Sequence, residues 1–175
     1  HGASWFAGMG TTKSAGTKVF SVSGDVERPG VYELVMGSRL SDLLALAGAR
    51  DVKMVQVGGA TGAILPASMI DTPLSFEMVL GSGAIMVFNT TRDVIDVIYR
   101  TMEFLNEESC GECAPCREGT EVMIEILGRL TRGEGVEEDI KVLEELSQVM
   151  MDSSLCGLGQ AAPIPLVDTL TYFRN

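Results

Sequence analysis

Glu108-Ser109-Cys110-Gly111-Glu112-Cys113-Ala114-Pro115-Cys116-Arg117-Glu118-Gly119-Thr120 holds three of the chain's four cysteines, each three residues from the next. The fourth, Cys156, follows forty residues later. Every thiol of the 175-residue chain therefore belongs to one pattern, Cys-x-x-Cys-x-x-Cys with a remote partner. A loop of that spacing wraps three corners of a compact inorganic cluster, and a distant cysteine closes the fourth. It is the local spacing of a cubane [4Fe–4S] binder. The candidate ligands are Cys110, Cys113, Cys116 and Cys156, and the chemistry they point to is one-electron transfer.

Four thiols have two other common uses. Two disulfides suit small secreted domains, but the start, His1-Gly2-Ala3-Ser4-Trp5-Phe6, has neither the basic region nor the apolar core of an export signal. Structural zinc usually takes two separated Cys-x-x-Cys pairs or a Cys and His mixture. Here there is a triplet plus a single, and the only histidine is His1. Zinc defines the alternative reading: a β-grasp ligand-binding or interaction module with a zinc-stapled helical domain.

The chain around the cysteine loop reads as helical from Thr91 onward. Val94, Ile95, Val97, Ile98, Met102 and Leu105 line one face of a first helix, which Asn89 or Thr91 can cap. A second helix is expected to open just after Cys116, with Met123, Ile126, Leu127 and Leu130 as its buried stripe and Gly133 as its stop. A third starts near Val136 and carries Ile140, Leu143, Leu146 and Met150; a last one begins near Pro163 or Pro165. The short Gly133-Glu134-Gly135 turn reverses the chain, so the second and third helices form an antiparallel pair. That topology returns Met151 to Gly159, and with it Cys156, to the side of Cys110, Cys113 and Cys116.

Upstream the pattern changes. Val19 to Gly24 reads as a strand, Glu27-Arg28-Pro29-Gly30 as a turn and Val31 to Leu34 as the returning strand. Leu40, Leu43, Leu44 and Ala47 recur at helical spacing, with Ser38 or Ser41 as the expected cap and Gly48 as the stop. Val52 to Val57, Ile64 to Pro66 and Ile85 to Phe88 complete a set of strands. The expected fold class is α+β: a ubiquitin-like β-grasp domain at 18–90, followed by an all-α helical bundle at 91–175. Residues 1–17 are rich in Gly and Ser and read as a linker or the tail of a preceding domain.

Composition limits the partners. The net charge is −11, and thirteen Asp and Glu fall between Glu103 and Glu145. Nucleic-acid binding needs a basic face and is disfavoured. The acidic stretch reads as solvated helix faces, or as a docking surface for a basic subunit. No run approaches the roughly 18–20 apolar residues of a membrane span. The chain does not begin with Met, as expected of a piece or processed form of a longer protein.

At the cysteine loop itself, the free N–H groups at the start of the second helix are placed to face a negatively charged cluster. Gly111, Gly119, Gly157 and Gly159 are expected to permit close backbone approach. Arg117 is either a charge partner of the cluster or one half of a surface pair with Glu112, Glu118 or Glu121. No acid–base or nucleophilic set stands out.

Glu108–Thr120 resembles the iron–sulfur loop of the NADH-binding flavoprotein family, the 51-kDa-type subunit of complex I and the diaphorase subunits of NAD(P)-linked hydrogenases and formate dehydrogenases. Leu155-Cys156-Gly157-Leu158-Gly159-Gln160 is similar to the family's fourth-ligand segment, in the form of the hydrogenase and formate dehydrogenase branch. The stretch 4–34 is similar to the boundary between the flavin domain and the soluble-ligand-binding β-grasp (SLBB) domain. The resemblance implies a C-terminal fragment in which Cys110, Cys113, Cys116 and Cys156 hold a [4Fe–4S] cluster. That cluster would take electrons singly from FMN, itself reduced by NAD(P)H on an upstream domain that lies outside this sequence. The SLBB domain would serve as interdomain support. The implied partners are other subunits of a multisubunit oxidoreductase, among them a 24-kDa-type [2Fe–2S] subunit, with no direct membrane insertion and a cytoplasmic location, peripheral where the assembly meets a membrane. Alone, the fragment is not expected to be catalytic.

Overall fold

The computed structural model describes residues 1–78 and 80–174. They divide between Thr91 and Arg92 into two compact units.

The first unit opens with a short helix, α1 (Ala3–Ala7), which buries none of its side chains. Strands β1 (Thr17–Gly24) and β2 (Gly30–Val35) form the antiparallel hairpin that the Pro29-Gly30 turn implied. Helix α2 (Leu40–Ala47) buries Leu40, Leu43, Leu44 and Ala47, the stripe legible in the sequence. Strands β3 (Val52–Val57), β4 (Ala63–Pro66) and β5 (Ala84–Asn89) complete a five-stranded sheet in the order β2-β1-β5-β3-β4. Only the central β1–β5 pair is parallel; the other pairs are antiparallel. A hairpin, a helix on one face and a last strand inserted beside the first make this a β-grasp unit. Phe20, Val22, Leu43, Leu44, Val55, Val57, Ile85 and Val87 form its continuous core.

Two local expectations differ. Helix α2 is capped by neither Ser38 nor Ser41: Arg39 holds the N-cap position and makes no side-chain cap. The first-turn N–H groups of Leu40 and Ser41 donate instead to the carbonyls of Thr72 and Ile70, at 3.0 and 2.7 Å. The helix stops as read, at Gly48, whose φ of 71° lies in the left-handed region that favours glycine. Residues 1–17 are folded with this unit. Met36 donates its N–H to the Gly16 carbonyl at 2.9 Å, and the hydroxyls of Thr11 and Ser14 both donate to the Glu77 carboxylate.

The second unit is all helical. Helix α3 (Val94–Glu107) buries Ile98, Met102 and Leu105. Its cap is Asp93, whose carboxylate accepts the Asp96 N–H, and not Asn89 or Thr91; Asn89 Oδ1 instead accepts the Thr91 N–H in the turn ahead of the helix. Helices α4 (Ala114–Thr131) and α5 (Glu137–Ser153) lie antiparallel, as two contacts show. Near one end an alanine Cβ at Gly119 would stand 2.6 Å from the Met150 sulfur, and at the other Arg129 pairs with the buried Asp139. Asp139 also accepts the Val136 N–H at 3.0 Å, tying down the turn between the helices. After α5 come a five-residue helix, α6 (Gly157–Ala161), absent from the sequence reading, and α7 (Ile164–Tyr172). Among the described residues no helix is long and apolar enough to cross a membrane.

Candidate metal centre

The antiparallel pair decides where the cysteines lie. Helix α4 is 18 residues long, a span of about 27 Å at 1.5 Å per residue. Helix α5 returns over 17 residues, so the loop after it comes back to the start of α4. At that end Ser109–Cys116 meets Ser154–Gly159. An alanine Cβ at Gly159 would lie 2.9 Å from the Cys116 Cβ and 2.6 Å from Ser154 Oγ, so the α6 backbone is packed directly on the first turn of α4.

Helix α4 starts earlier than the sequence implied. Cys113 is its N-cap, Pro115 lies in its first turn, and Cys116 is inside the helix. The physical reason is Pro115: its fixed φ suits the first turn, where the missing N–H costs nothing. Cys116 is buried, Cys113 half-buried, and Cys110 and Cys156 exposed; all four are free thiols. Cys156 occupies the N-cap position of α6.

Donors gather on the two inner sulfurs. The Leu155 backbone N–H, and after it the Cys116 N–H, hold the Cys113 thiol below the usual thiol range, with the Ser154 side chain adding to the effect and burial opposing it. Ser109 Oγ stands 3.4 Å from Cys116 Sγ. That oxygen also accepts the Gly111 N–H at 3.2 Å. Arg117 makes the surface pair with Glu118 and also reaches the cysteine loop. Its Nε donates to Glu118 at 2.8 Å, and its NH1 donates to the Gly111 carbonyl at 2.6 Å. The neighbouring Glu118 raises its pKa, with Glu121 and Cys113 contributing, so it is a fixed positive charge over the loop. From behind, Thr120 on α4 donates to Asn106 of α3 at 2.6 Å and anchors the turn that carries Cys116.

The four glycines separate. Gly159 is a site of close approach to Cys116, and Gly119 is one to Met150. Among the described residues, apart from its chain neighbours and its own helix backbone, nothing lies within 4 Å of a Cβ placed at Gly111 or Gly157. Gly111 owes its place to a φ of 73°, which turns the loop between Cys110 and Cys113.

Residues 96–175 match the NADH-ubiquinone oxidoreductase-F iron-sulfur binding region, and residues 19–51 match the SLBB domain. The chain belongs to the NADH-binding flavoprotein family. It is 36% identical to the NADP-reducing hydrogenase subunit HndC of Solidesulfovibrio fructosivorans, over all of this chain and 38% of that protein. It is 38% identical to an NADH-quinone oxidoreductase subunit of Mycobacterium tuberculosis (strain ATCC 25618 / H37Rv), over 99% of this chain and 41% of that protein. A crystal structure of NAD+-reducing [NiFe]-hydrogenase in the H2-reduced state superposes on the whole chain with a TM-score of 0.95 at 36% identity, covering 31% of the matched chain. The chain thus spans about two fifths or less of the length of these relatives.

The family's iron–sulfur region is where the two cysteine-bearing loops meet, and the residues fit a cluster. Four unpaired thiols stand on two converging loops, with amide and hydroxyl groups near the inner sulfurs and a buried Ser154 hydroxyl that has no partner at hydrogen-bond distance among the described residues. Among the described residues no three His, Cys, Asp or Glu converge on the position of a single ion. A cubane takes each thiolate on a separate iron, so its ligands stand around it and not on one point. The zinc alternative gives way to the iron–sulfur family match. The sequence reading did not single out Ser109 and Ser154. Ser109 directly precedes Cys110 and carried a local signal, whereas Ser154 becomes relevant only when α6 folds back on α4.

Proposed function

We propose that this chain is the electron-relay portion of an NAD(P)H-linked flavoprotein oxidoreductase subunit, with Cys110, Cys113, Cys116 and Cys156 as the ligands of one [4Fe–4S] cluster. The observation that carries this reading is the packing of Gly159 on Cys116, which brings the fourth cysteine's loop to the other three. When bound, the cluster supplies a one-electron carrier. The protein holds Cys113, Cys116 and Cys156 at two helix starts and Cys110 in the loop ahead of α4, sets N–H and O–H groups beside the inner sulfurs and keeps Arg117 over the loop. In the full-length protein, FMN held outside this sequence would supply the conversion of hydride from NAD(P)H into single electrons. The partners are neighbouring subunits of a multisubunit oxidoreductase, including a 24-kDa-type [2Fe–2S] subunit, in the cytoplasm. The SLBB unit, whose interior is filled by a continuous core, serves as support.

Anaerobic purification or reconstitution tests the assignment. About four iron and four sulfide per chain, with an EPR signal on reduction, is the expected result. Cys156→Ser should lose the cubane or leave a three-iron remnant. One zinc per chain without labile sulfide, or unchanged cluster content in Cys156→Ser, would overturn it.

A further inference from the structure

Ser154 closes α5 two residues before Cys156. Both of its backbone groups are engaged. Its N–H donates to the Met150 carbonyl at 3.1 Å, and its carbonyl accepts from Gln160 Nε2 at 2.9 Å. Its hydroxyl is not engaged: the residue is 5% exposed, and Oγ has no hydrogen-bond partner among the described residues. A buried hydroxyl without a partner costs stability, and native structures keep few of them. The side chain lies against Gly159 and Cys116: a Cβ placed at Gly159 would stand 2.6 Å from Ser154 Oγ and 2.9 Å from the Cys116 Cβ. Ser109 Oγ already stands 3.4 Å from the Cys116 sulfur, and Ser154 Oγ sits beside the same turn without a partner at hydrogen-bond distance among the described residues.

We propose that Ser154 is a positioning residue of the cluster site, whose hydroxyl donates a hydrogen bond to a ligand sulfur of the Cys113–Cys116 turn when the cluster is bound, and so raises the potential at which the cluster accepts an electron. The proposal rests on the assignment of Cys113 and Cys116 as ligands made above. Reduction adds negative charge that is shared with the ligand sulfurs. A donor aimed at one of them therefore stabilises the reduced form more than the oxidised form. Gly159 belongs to the same device, since a side chain there would fill the space that the hydroxyl crosses.

The test is an EPR-monitored redox titration of the protein purified anaerobically with its cluster, alongside Ser154→Ala and Ser154→Thr, with iron and sulfide counted in each. Ser154→Ala is expected to keep the cluster and to shift its midpoint to lower potential, by roughly three- to tenfold in the one-electron equilibrium, or about 30–60 mV. Ser154→Thr, which keeps the hydroxyl, is expected to stay at the parent midpoint. Loss of the cluster from the alanine variant with retention in the threonine variant also supports a hydroxyl that holds the ligand. An unchanged midpoint in Ser154→Ala, or loss of the cluster from both variants, overturns the proposal while leaving the electron-relay reading intact. A parent protein without iron and sulfide overturns that reading first.

Discussion

Gly159 faces Cys116 at a separation that admits no side chain. An alanine Cβ there would lie 2.9 Å from the Cys116 Cβ and 2.6 Å from Ser154 Oγ, closer than real Cβ contacts come. Gly159→Ala must therefore move α6 off the first turn of α4, and Cys156 with it. Overpacking of this kind costs about 1–3 kcal/mol. Gly157→Ala is the control, because its Cβ meets nothing within 4 Å. Denaturant unfolding of the metal-free chain should show the loss for Gly159→Ala and a change within about 0.5 kcal/mol for Gly157→Ala. Equal effects would show that α6 is not seated on α4.

Arg117 reaches back from α4 to the Gly111 carbonyl, closing the loop that carries Cys110. Its other arm pairs with Glu118 on the surface, and such exposed pairs add little to stability. Arg117→Ala should thus leave the thermal midpoint nearly unchanged while loosening the loop. Amide exchange at Gly111 and Glu112 should quicken, and a chelator should strip iron faster. Arg117→Lys keeps the charge but lacks the fork that serves Glu118 and Gly111 together. It should fall between the parent and the alanine variant in chelation rate. Parent-like rates in both variants would remove the loop-closing role.

Much of this geometry was legible because it follows from local pattern. The stripes of α2, α3, α4 and α5 are periodic, the β1–β2 turn holds Pro and Gly in favoured places, and Gly133-Glu134-Gly135 can only reverse the chain. What was not legible depends on distant contacts or on short segments. Arg39 is a poor cap by type, and its helix is completed by carbonyls more than thirty residues away in one case, at Thr72, and about thirty in the other, at Ile70. Helix α6 has two glycines in five residues, a composition that reads as loop, and it forms only against Cys116 and Ser154. The early start of α4 had a signal in Pro115, whose fixed φ marks a first turn.

Met123 is fully buried on α4, two turns beyond Cys116 on the same face. Truncating a buried Met to Ala costs about 2–5 kcal/mol through lost burial and the cavity left behind. Met123→Ala should lose that much in urea unfolding, whereas Val122→Ala, at a side chain 40% exposed, should stay within about 0.5 kcal/mol. At a temperature where Met123→Ala remains folded, its cluster content should match the parent. Loss of cluster without loss of stability would mean that Met123 acts at the site.

Glu77 ties the segment ahead of β1 to the loop before β5. Its carboxylate accepts the hydroxyls of Ser14 and Thr11 and the Lys13 N–H, the last at 3.2 Å, while Ser14 Oγ accepts the Phe76 N–H at 2.8 Å. Those donors, Ser14 first and Thr11 second, lower its pKa from 4.5 to about 2. A carboxylate whose folded pKa is depressed stabilises the folded form fully above its unfolded value and loses that contribution as pH falls through the folded one. The tether should therefore be intact above pH 4.5, weaken steadily below it and be gone under about pH 2. Amide exchange at Lys13 and Phe76, corrected for the intrinsic rate, should show protection falling across that window. Glu77→Gln should be less protected at pH 6 and should lose the pH dependence, because an amide carries no charge to titrate and one of its two acceptor positions becomes a donor facing Ser14 or Thr11. A parent protein whose protection at these two amides stays level from pH 6 to pH 2 would show that the carboxylate does not hold the segment.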